Sequence, residues 1–264
     1  VDRTESLTSE AAAELLESMR MARFGGDFIF EFELRHFPRR GETVLYRGTL
    51  FGTWNEAGSR TRIQIDEGPV ESSPDPEGPG EVRLLIQNGE SSWIMQWDPA
   101  TDQSKPLKGD SLFEPVVSGF TYTPFDLQMP FLHWNSYQYL GAERVKGRPA
   151  HLFFMETPES LRDSRPELKG VRLAIDEDYL ALLRVEMVNH SNQVLKSFRI
   201  LNFKKVSEEW IVKSIDLVEE ESRDKTRFRV LSAAMNVELP ESNFEIEKLG
   251  EPLEYPSRVD FDAL

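Results

Sequence analysis

Apolar and polar residues alternate along most of this chain, with a period of two that is typical of β-strands with one buried face. The first clear run begins at residue 27, where Phe28, Phe30 and Phe32 share one face of the predicted strand. Later runs are separated by short turn signals such as Asn88-Gly89, which favour hairpins over crossovers. The pattern therefore predicts about 11 to 12 antiparallel strands, arranged mainly as meanders.

Three stretches depart from this alternation. Residues 8–22 place apolar side chains at spacings of three and four behind a Thr or Ser cap, which predicts a helix. Residues 68–80 are rich in Pro, Gly and acidic residues, which predicts a flexible surface loop. Residues 113–135, called the lid segment below, are aromatic and interrupted by prolines, so short helical turns are expected there. One domain is expected over residues 1–264, ending in a tail from residue 250.

A sheet of this many twisted strands cannot stay flat and open, so we expect a mainly β fold, an incomplete antiparallel β-barrel with a small helical lid. Inward-facing apolar rows would leave room for a ligand cavity, whereas a packed core beneath the same helices fits the pattern equally well. The residues predicted to line the cavity or its lid are Phe28, Phe30, Phe32, Leu50, Trp54, Trp93, Met95, Trp97, Phe125, Phe131 and Trp134.

Charge and composition narrow the range of partners. The chain carries 31 Lys and Arg against 46 Asp and Glu, a net charge of −15, so it repels nucleic-acid phosphates and no nucleic-acid binding is expected. The longest apolar run, Tyr179 to Leu183, is too short to cross a membrane. The chain begins at Val1 and not at Met, so we expect a processed product whose leader is not visible. A monomer is expected.

Motifs for catalysis and metal binding are missing from the sequence. The chain contains no Gly-x-Ser-x-Gly, phosphate loop, dinucleotide fingerprint or His-Glu-x-x-His motif. Its four histidines lie far apart, without the spacing of metal ligands. We therefore predict no enzymatic activity, no cofactor and no metal. A hydrolase would require the fold to bring a His and a carboxylate to a Ser or Thr.

Several landmarks, in the same order along the chain, resemble those of the LolA-like outer-membrane lipoprotein-sorting proteins. They include a strand, Gly turn and strand, an Ile-Asp segment before Tyr-Leu, and a Leu-Pro-Glu-Ser-Asn-Phe motif near the end. These landmarks are residues 139–150, 173–180, 203–212, 225–226 and 239–244. The resemblance implies an incomplete β-barrel whose hydrophobic cavity takes up acyl chains. It also implies a periplasmic location in a Gram-negative cell envelope.

Two functions remain open from the sequence. The first is a periplasmic carrier of lipid or lipoprotein acyl chains, with an inner-membrane transporter complex and an outer-membrane acceptor as possible partners. The second is an envelope regulatory or scaffold protein that binds a protein partner through the same fold. In the carrier, Arg47, Arg60 or Arg62 is a candidate to hold the lid shut by bonding backbone carbonyls, although strand arginines commonly face solvent.

Overall fold

The computed structural model describes residues 5–66 and 81–264. The loop predicted at residues 68–80 lies outside the described residues. Fourteen strands form one antiparallel sheet within the described part of the chain. In chain order, β1 to β14 are Asp27–Phe37, Val44–Asn55, Gly58–Ile65, Val82–Gln87, Trp93–Asp98, Gln103–Pro106, Tyr137–Val145, Arg148–Glu156, Leu168–Asp176, Ala181–Asn189, Val194–Val206, Glu209–Glu219, Lys225–Val237 and Asp262–Ala263.

The sheet is open, because its two edge strands do not pair with each other. From edge to edge its order is β6-β5-β4-β3-β2-β1-β13-β12-β11-β10-β9-β8-β7, with β14 added to β13. The chain thus runs outward from β1 to one edge, crosses to the other edge at β7, and returns to pair β13 with β1. This arrangement confirms the predicted mainly β fold with an incomplete barrel.

Two of the strands escaped the sequence analysis. Strand β6 contains no apolar side chain except its final Pro106, and β14 has only two residues. A polar strand with a proline is typical of a protected sheet edge, and it carries no alternation to detect. The count of about 11 to 12 strands therefore falls short at one edge and at the C-terminus.

The helices are few and lie mostly on one side of the sheet. Helix α1 spans Ser9–Met21, and the Thr8 hydroxyl caps it by accepting a hydrogen bond of 3.3 Å from the backbone N–H of Ala11. This agrees with the helix predicted at residues 8–22. The other helices are α2 at Pro124–Gln128, α3 at Glu159–Arg162, and 3₁₀ helices at Gly109–Phe113, Pro130–His133, Glu241–Phe244 and Ile246–Lys248.

The sheet has an inner face, which α1 and the lid segment cover, and an outer face. The inner face carries a large apolar cluster that includes Phe32, Ile63 and Phe153, and buried residues of α1 and the lid segment join this cluster. Near the edge at β6, the outer face carries a second cluster around Phe51. Apolar residues thus occupy both sides of β1, β2, β4 and β5, so alternation alone does not say which side holds a given residue.

Two glycines let phenylalanine rings lie flat against the inner face. A Cβ atom at Gly52 would lie 2.1 Å from the Phe28 ring, and one at Gly48 would lie 2.6 Å from the Phe32 ring. Both glycines pair directly across the sheet with the residues whose rings cover them. Any side chain at either position would displace a ring, because a carbon atom cannot approach so closely.

The outer face near β3 and β4 is covered by residues 239–264, called the C-terminal strap. Arg62 on β3 is 1% exposed, and its guanidinium donates to the carbonyls of Asn243, Leu249 and Glu251. Arg83 donates in the same way to the carbonyl of Gly250. Burial, followed by the nearby charge of Arg83, lowers the pKa of Arg62 to about 10. The strap is thus tied to the sheet by charged donors bonded to backbone carbonyls.

We predict that Arg62→Lys lowers the free energy of unfolding by roughly 2–4 kcal/mol, because an ammonium cannot reproduce the fork of the guanidinium. Urea-induced unfolding followed by circular dichroism measures this change. Arg144→Lys is the matched control, since Arg144 is exposed and donates only to the carbonyl of Gly147 in its own turn. Equal, small effects of both substitutions would contradict the prediction.

Candidate functional site

The largest apolar cluster of the described residues is buried between the inner face and the lid segment. Phe125 and Phe131 of the lid segment are fully buried there, with ring centroids 5.9 Å apart. Phe131 also meets Phe198 of β11 at 6.4 Å, and Trp134 lies 6.3 Å from both lid phenylalanines. The lid segment therefore meets the sheet through aromatic side chains, which bury large areas each.

The predicted site residues divide into groups. Phe32, Leu50, Phe125, Phe131 and Trp134 meet in the cluster beneath the lid segment. Phe28 and Phe30 belong to a neighbouring cluster on the same face of β1, and Leu50 packs against both clusters. Trp54 is half-buried, with the guanidinium of Arg23 lying 5.7 Å from its ring centroid. The structure therefore brings seven of the eleven residues into connected clusters.

The structure does not bring Trp93, Met95 and Trp97 to this surface. All three pack against the outer cluster near the C-terminal strap, while Ile94 between them joins the inner cluster. The placement of these three residues with the inner row was therefore wrong. The reason is physical: β5 has apolar residues on both faces because the strap buries its outer one, and the larger side chains face the strap.

Arg20, near the end of α1, anchors the lid segment through hydrogen bonds to its backbone. Its Nε donates to the carbonyl of Leu132 at 2.6 Å, and its Nη2 donates to the carbonyl of Trp134 at 2.7 Å. Nη1 pairs with Glu17 at 2.5 Å, which orients the guanidinium. An arginine therefore bonds carbonyls of the lid segment, as expected, but this arginine lies on α1 and not on a strand. Arg60 and Arg62 instead bond the C-terminal strap.

Sequence reasoning missed Arg20 because a basic residue in the last turn of a helix is ordinarily explained by the helix dipole. No local pattern distinguishes an arginine that stabilises its own helix from one that reaches another segment. The aromatic and proline content of the lid segment was the only signal, and it did not point to a particular partner.

Lys196 of β11 is the second anchor of the lid segment. Its ammonium donates to the carbonyl of Thr121 at 2.7 Å and pairs with the buried carboxylate of Asp126 at 2.8 Å. Asp126 also accepts hydrogen bonds from the backbone and side chain of Thr123, which caps α2. The ion pair and the helix cap thus depend on the same carboxylate.

The turn after β4 supplies a third anchor. Asn88 Nδ2 donates to the carbonyl of Gln128 at 2.9 Å, and Gln128 Nε2 donates to the carbonyl of Gln87 at 3.2 Å. Met129 follows in the left-handed region with φ 51°, which ends α2 and starts the next 3₁₀ helix. The lid segment is therefore held mainly by side-chain-to-backbone bonds and not by strand pairing.

Some polar atoms of the lid segment remain unsatisfied in this closed arrangement. The hydroxyls of Thr121 and Tyr122 and one oxygen of Asp126 are buried and have no hydrogen-bond partner among the described residues. Burial, together with the charges of Asp126 and Asp216, raises the pKa of Tyr122 well above its ordinary value. Each unsatisfied group costs about 1–3 kcal/mol, so closure of the lid segment is opposed as well as favoured.

His36 of β1 contacts the start of the lid segment. Its ring stacks on Phe120 with centroids 5.0 Å apart, and its Nδ1 lies 2.9 Å from the hydroxyl of Thr226. That hydroxyl also accepts a bond of 3.2 Å from the backbone N–H of Thr121. Burial lowers the pKa of His36, an effect that the charges of Asp224 and Glu219 partly offset. The neutral imidazole is therefore the form that this packing favours.

A hydrogen-bonded chain positions the residues that precede α1. The backbone N–H of Leu7 donates to the Tyr139 hydroxyl at 3.0 Å, which lies 2.9 Å from His151 Nδ1. The other ring nitrogen of the fully buried His151 lies 3.1 Å from the carboxylate of Glu177. This chain joins a His and a carboxylate to a Tyr, whereas the hydrolase hypothesis required a Ser or Thr nucleophile.

Two openings of the protein lie away from the lid segment. A cleft of about 340 Å³ lies beside Phe154 and Lys169, and a second, tighter gap lies beside Arg62 and the strap. Over residues 5–66 and 81–264, no group of three or more His, Asp or Glu side chains is placed to bind a metal. None of the helices in the same ranges is both long enough and apolar enough to span a membrane.

A family model described as uncharacterized proteins matches residues 76–251, so the chain belongs to that family. No curated protein matches the chain in sequence.

Three solved structures share the fold. A DUF1329 family protein from Desulfovibrio piger is 14% identical with a TM-score of 0.73, covering 94% of this chain and 100% of that one. A putative outer membrane lipoprotein-sorting protein domain from Vibrio parahaemolyticus is 15% identical, with a TM-score of 0.72 and coverages of 92% and 97%. A LolA superfamily protein from Nitrosomonas europaea is 15% identical, with a TM-score of 0.62 and coverages of 90% and 98%. The LolA-like fold inferred from the sequence is confirmed.

We predict that Arg20→Gln loosens the lid segment, because the variant loses charged donors to two carbonyls, bonds of about 1.5–3 kcal/mol each. Amide hydrogen exchange over residues 120–134 should accelerate by at least about tenfold while exchange in β1 and β13 stays slow. Arg23→Gln is the control, since Arg23 follows the same helix but contacts Trp54. Unchanged exchange in the Arg20 variant would show that the lid segment does not depend on this contact.

The stability of the contact between His36 and the lid segment should depend on pH. Because the folded pKa of His36 is lowered, its contribution to stability is complete above the ordinary value of 6.5 and is lost as pH falls below it. We expect the melting temperature to fall between about pH 7.5 and pH 5.5, and to fall less in His36→Gln. Differential scanning calorimetry of both proteins measures this difference. Parallel pH profiles would contradict it.

Proposed function

We propose that this chain is a binding protein of the periplasm that carries a lipid or lipoprotein acyl chain between the inner face and the lid segment. The observation that carries this proposal is the pairing of a continuous apolar face with an aromatic cover that is not part of the sheet. The residues proposed to contact the ligand are Phe32, Leu50, Phe125, Phe131 and Trp134, with Phe28 and Phe30 extending the surface.

The energetics of such a ligand require no specific hydrogen bond. Each buried methylene contributes about 0.8 kcal/mol, so a chain of roughly ten methylenes replaces much of the apolar contact that the lid segment provides when closed. In this closed structure the aromatic side chains of the lid segment occupy the place of the ligand. When a ligand is taken up, its acyl chain therefore replaces the lid aromatics as the apolar partner of the inner face.

Opening of the lid segment has a defined structural route. The segment connects the two unpaired edges of the sheet, and side chains such as Arg20, Lys196 and Asn88 anchor it. The unsatisfied oxygens of Thr121 and Tyr122 become able to bond water when the segment moves. Loss of a few bonds, partly offset by this hydration, makes an open form accessible.

Two of the similar solved structures support the same proposal. The Vibrio parahaemolyticus domain is described as a putative outer membrane lipoprotein-sorting protein, and the Nitrosomonas europaea protein as a LolA superfamily member. Because identity is near 15%, these similarities establish the fold, and the carrier role of this chain rests on its own inner face. An inner-membrane transporter complex and an outer-membrane acceptor are the proposed donor and recipient.

A protein-binding role is the second candidate, and exposed aromatic residues favour it. Tyr179 is 52% exposed and Trp210 is 51% exposed, with their ring centroids 6.2 Å apart. The guanidinium of Arg148 lies 4.6 Å from the Tyr179 ring centroid. Aromatic and Arg side chains of this kind are enriched at protein interfaces.

The decisive experiment is native mass spectrometry of the protein incubated with phospholipid and with a diacylated lipopeptide. We predict a stoichiometric lipid adduct for the wild type and at least a tenfold weaker one for Phe131→Glu, because a carboxylate would be buried against the acyl chain. Trp97→Glu is the matched control, since it changes an aromatic residue on the outer face. Phe131→Leu provides a milder variant if the charged one fails to fold.

The outcomes separate the two candidates. An adduct that Phe131→Glu abolishes and Trp97→Glu retains supports the carrier. Failure of both the wild type and the Arg20→Gln variant to take up either lipid would overturn the carrier role and favour the protein-binding role.

A further inference from the structure

The cleft of about 340 Å³ lies on the outer face, away from the lid segment. Phe153 and Met155 of β8 point into the inner cluster, so Phe154 and Glu156, which alternate with them, line the opposite side. The cleft is formed by the ends of β8 and β9, the connection that contains α3, and the turn after β10. Its lining residues are Phe154, Glu156, Thr157, Arg162, Pro166, Leu168, Lys169 and His190.

The cleft is locally basic in a strongly acidic chain. Arg162, Lys169 and His190 line it together with one carboxylate, that of Glu156. Both oxygens of Glu156 are already bonded, one to Ser136 at 2.6 Å and the other to Gln138 at 2.9 Å. Neither Arg162 nor Lys169 forms an ion pair with a described residue, although both charges act at longer range on the carboxylate of Glu156.

The polar groups around the cleft are oriented by neighbours. Lys169 Nζ donates to the side-chain oxygen of Asn192 at 2.9 Å, which uses one of its three N–H bonds. His190 Nε2 lies 3.1 Å from the carbonyl of Pro166 and must donate to it, and Nδ1 has no hydrogen bond to a described residue. Thr157 is 5% exposed, and its hydroxyl has no hydrogen-bond partner among the residues described.

The floor of the cleft is apolar. The Phe154 ring lies over Gly170, where a Cβ atom would approach it to 2.5 Å, and Leu168 and Pro166 complete the apolar lining. The ammonium of Lys169 lies 5.5 Å from the centroid of the Phe154 ring. A cation placed beside a partly exposed aromatic ring suits a ligand with a negative group next to an apolar part.

We propose that this cleft binds a small amphipathic anion, a carboxylate or phosphate group joined to a short apolar body. Arg162 and Lys169 hold the anionic group, and Phe154 contacts the apolar body. The volume lies at the lower end of the roughly 300–1,000 Å³ of small-molecule sites, so the cleft takes a small molecule or one lipid headgroup with its first methylenes. Apart from Leu168, which also joins the inner cluster, the residues that line the cleft lie outside the proposed acyl-chain surface.

The test is a titration of the full chain followed by amide NMR, with octanoate, octyl phosphate, inorganic phosphate and 1-octanol as probes. The two amphipathic anions should produce saturable shifts of residues 154–157, 166–170 and 189–192. Each should bind at least tenfold more tightly than inorganic phosphate or 1-octanol. A double variant, Arg162→Gln with Lys169→Gln, should weaken both anions at least tenfold, and salt should weaken binding because the pairs are partly exposed.

Arg199→Gln with Lys205→Gln is the matched control, since both residues lie on β11 and are paired with Glu220 and Glu208. Co-sedimentation with phosphatidylglycerol vesicles distinguishes the sources of the ligand. Vesicle binding that requires Arg162 and Lys169 identifies a lipid headgroup, and binding of soluble octyl phosphate alone identifies a free ligand. Shifts that avoid the cleft, or equal affinities in the two double variants, would overturn the proposal. Equal affinity for inorganic phosphate would overturn the role of Phe154.

Discussion

The whole architecture depends on one feature of the large sheet: its two edge strands do not pair with each other. An antiparallel sheet with apolar side chains along its inner face must bury that face against itself or against another element. Here β6 and β7 remain apart, so the chain between them has to cover what closure of a barrel would have enclosed. The aromatic lid segment and α1 provide that cover. A cover that joins two open edges is attached less firmly than a strand would be.

The same chemical device secures the coverings of both faces. Arg20 binds carbonyls of the lid segment on the inside, and Arg62 and Arg83 bind carbonyls of the C-terminal strap on the outside. Irregular segments carry backbone carbonyls that lack partners in regular structure, and a guanidinium with five donors satisfies several of them at once. The two coverings differ in burial. Arg62 is almost completely buried, while Arg20 keeps a small exposed fraction and pairs with the exposed Glu17.

Alternation along the chain was sufficient to predict the long strands and their meander order, because each has one face in a large apolar cluster. Alternation gave a wrong or missing prediction for strands that do not have one apolar face and one polar face. Strand β6 is polar throughout, and β5 is apolar on both faces, so Trp93, Met95 and Trp97 were placed on the wrong side. Arg20 was missed because its partners lie more than a hundred residues away and are backbone atoms, which no side-chain pattern reveals. Local periodicity predicts burial, whereas tertiary contacts select the face and the partner.

Closure of the lid segment is favoured by some of the groups that it buries and opposed by others. Phe125 and Phe131 gain burial of large rings, while nearby hydroxyls and one oxygen of Asp126 are buried without a hydrogen-bond partner in the described part of the chain. A core that served stability alone would replace such groups with apolar ones of similar shape, since that exchange is nearly neutral or stabilising. Their presence beside the Lys196–Asp126 pair reduces the free-energy difference between the closed form and the proposed open form. For the proposed carrier role, a small free-energy difference means that an apolar ligand with a modest advantage over the lid aromatics is enough to shift the population.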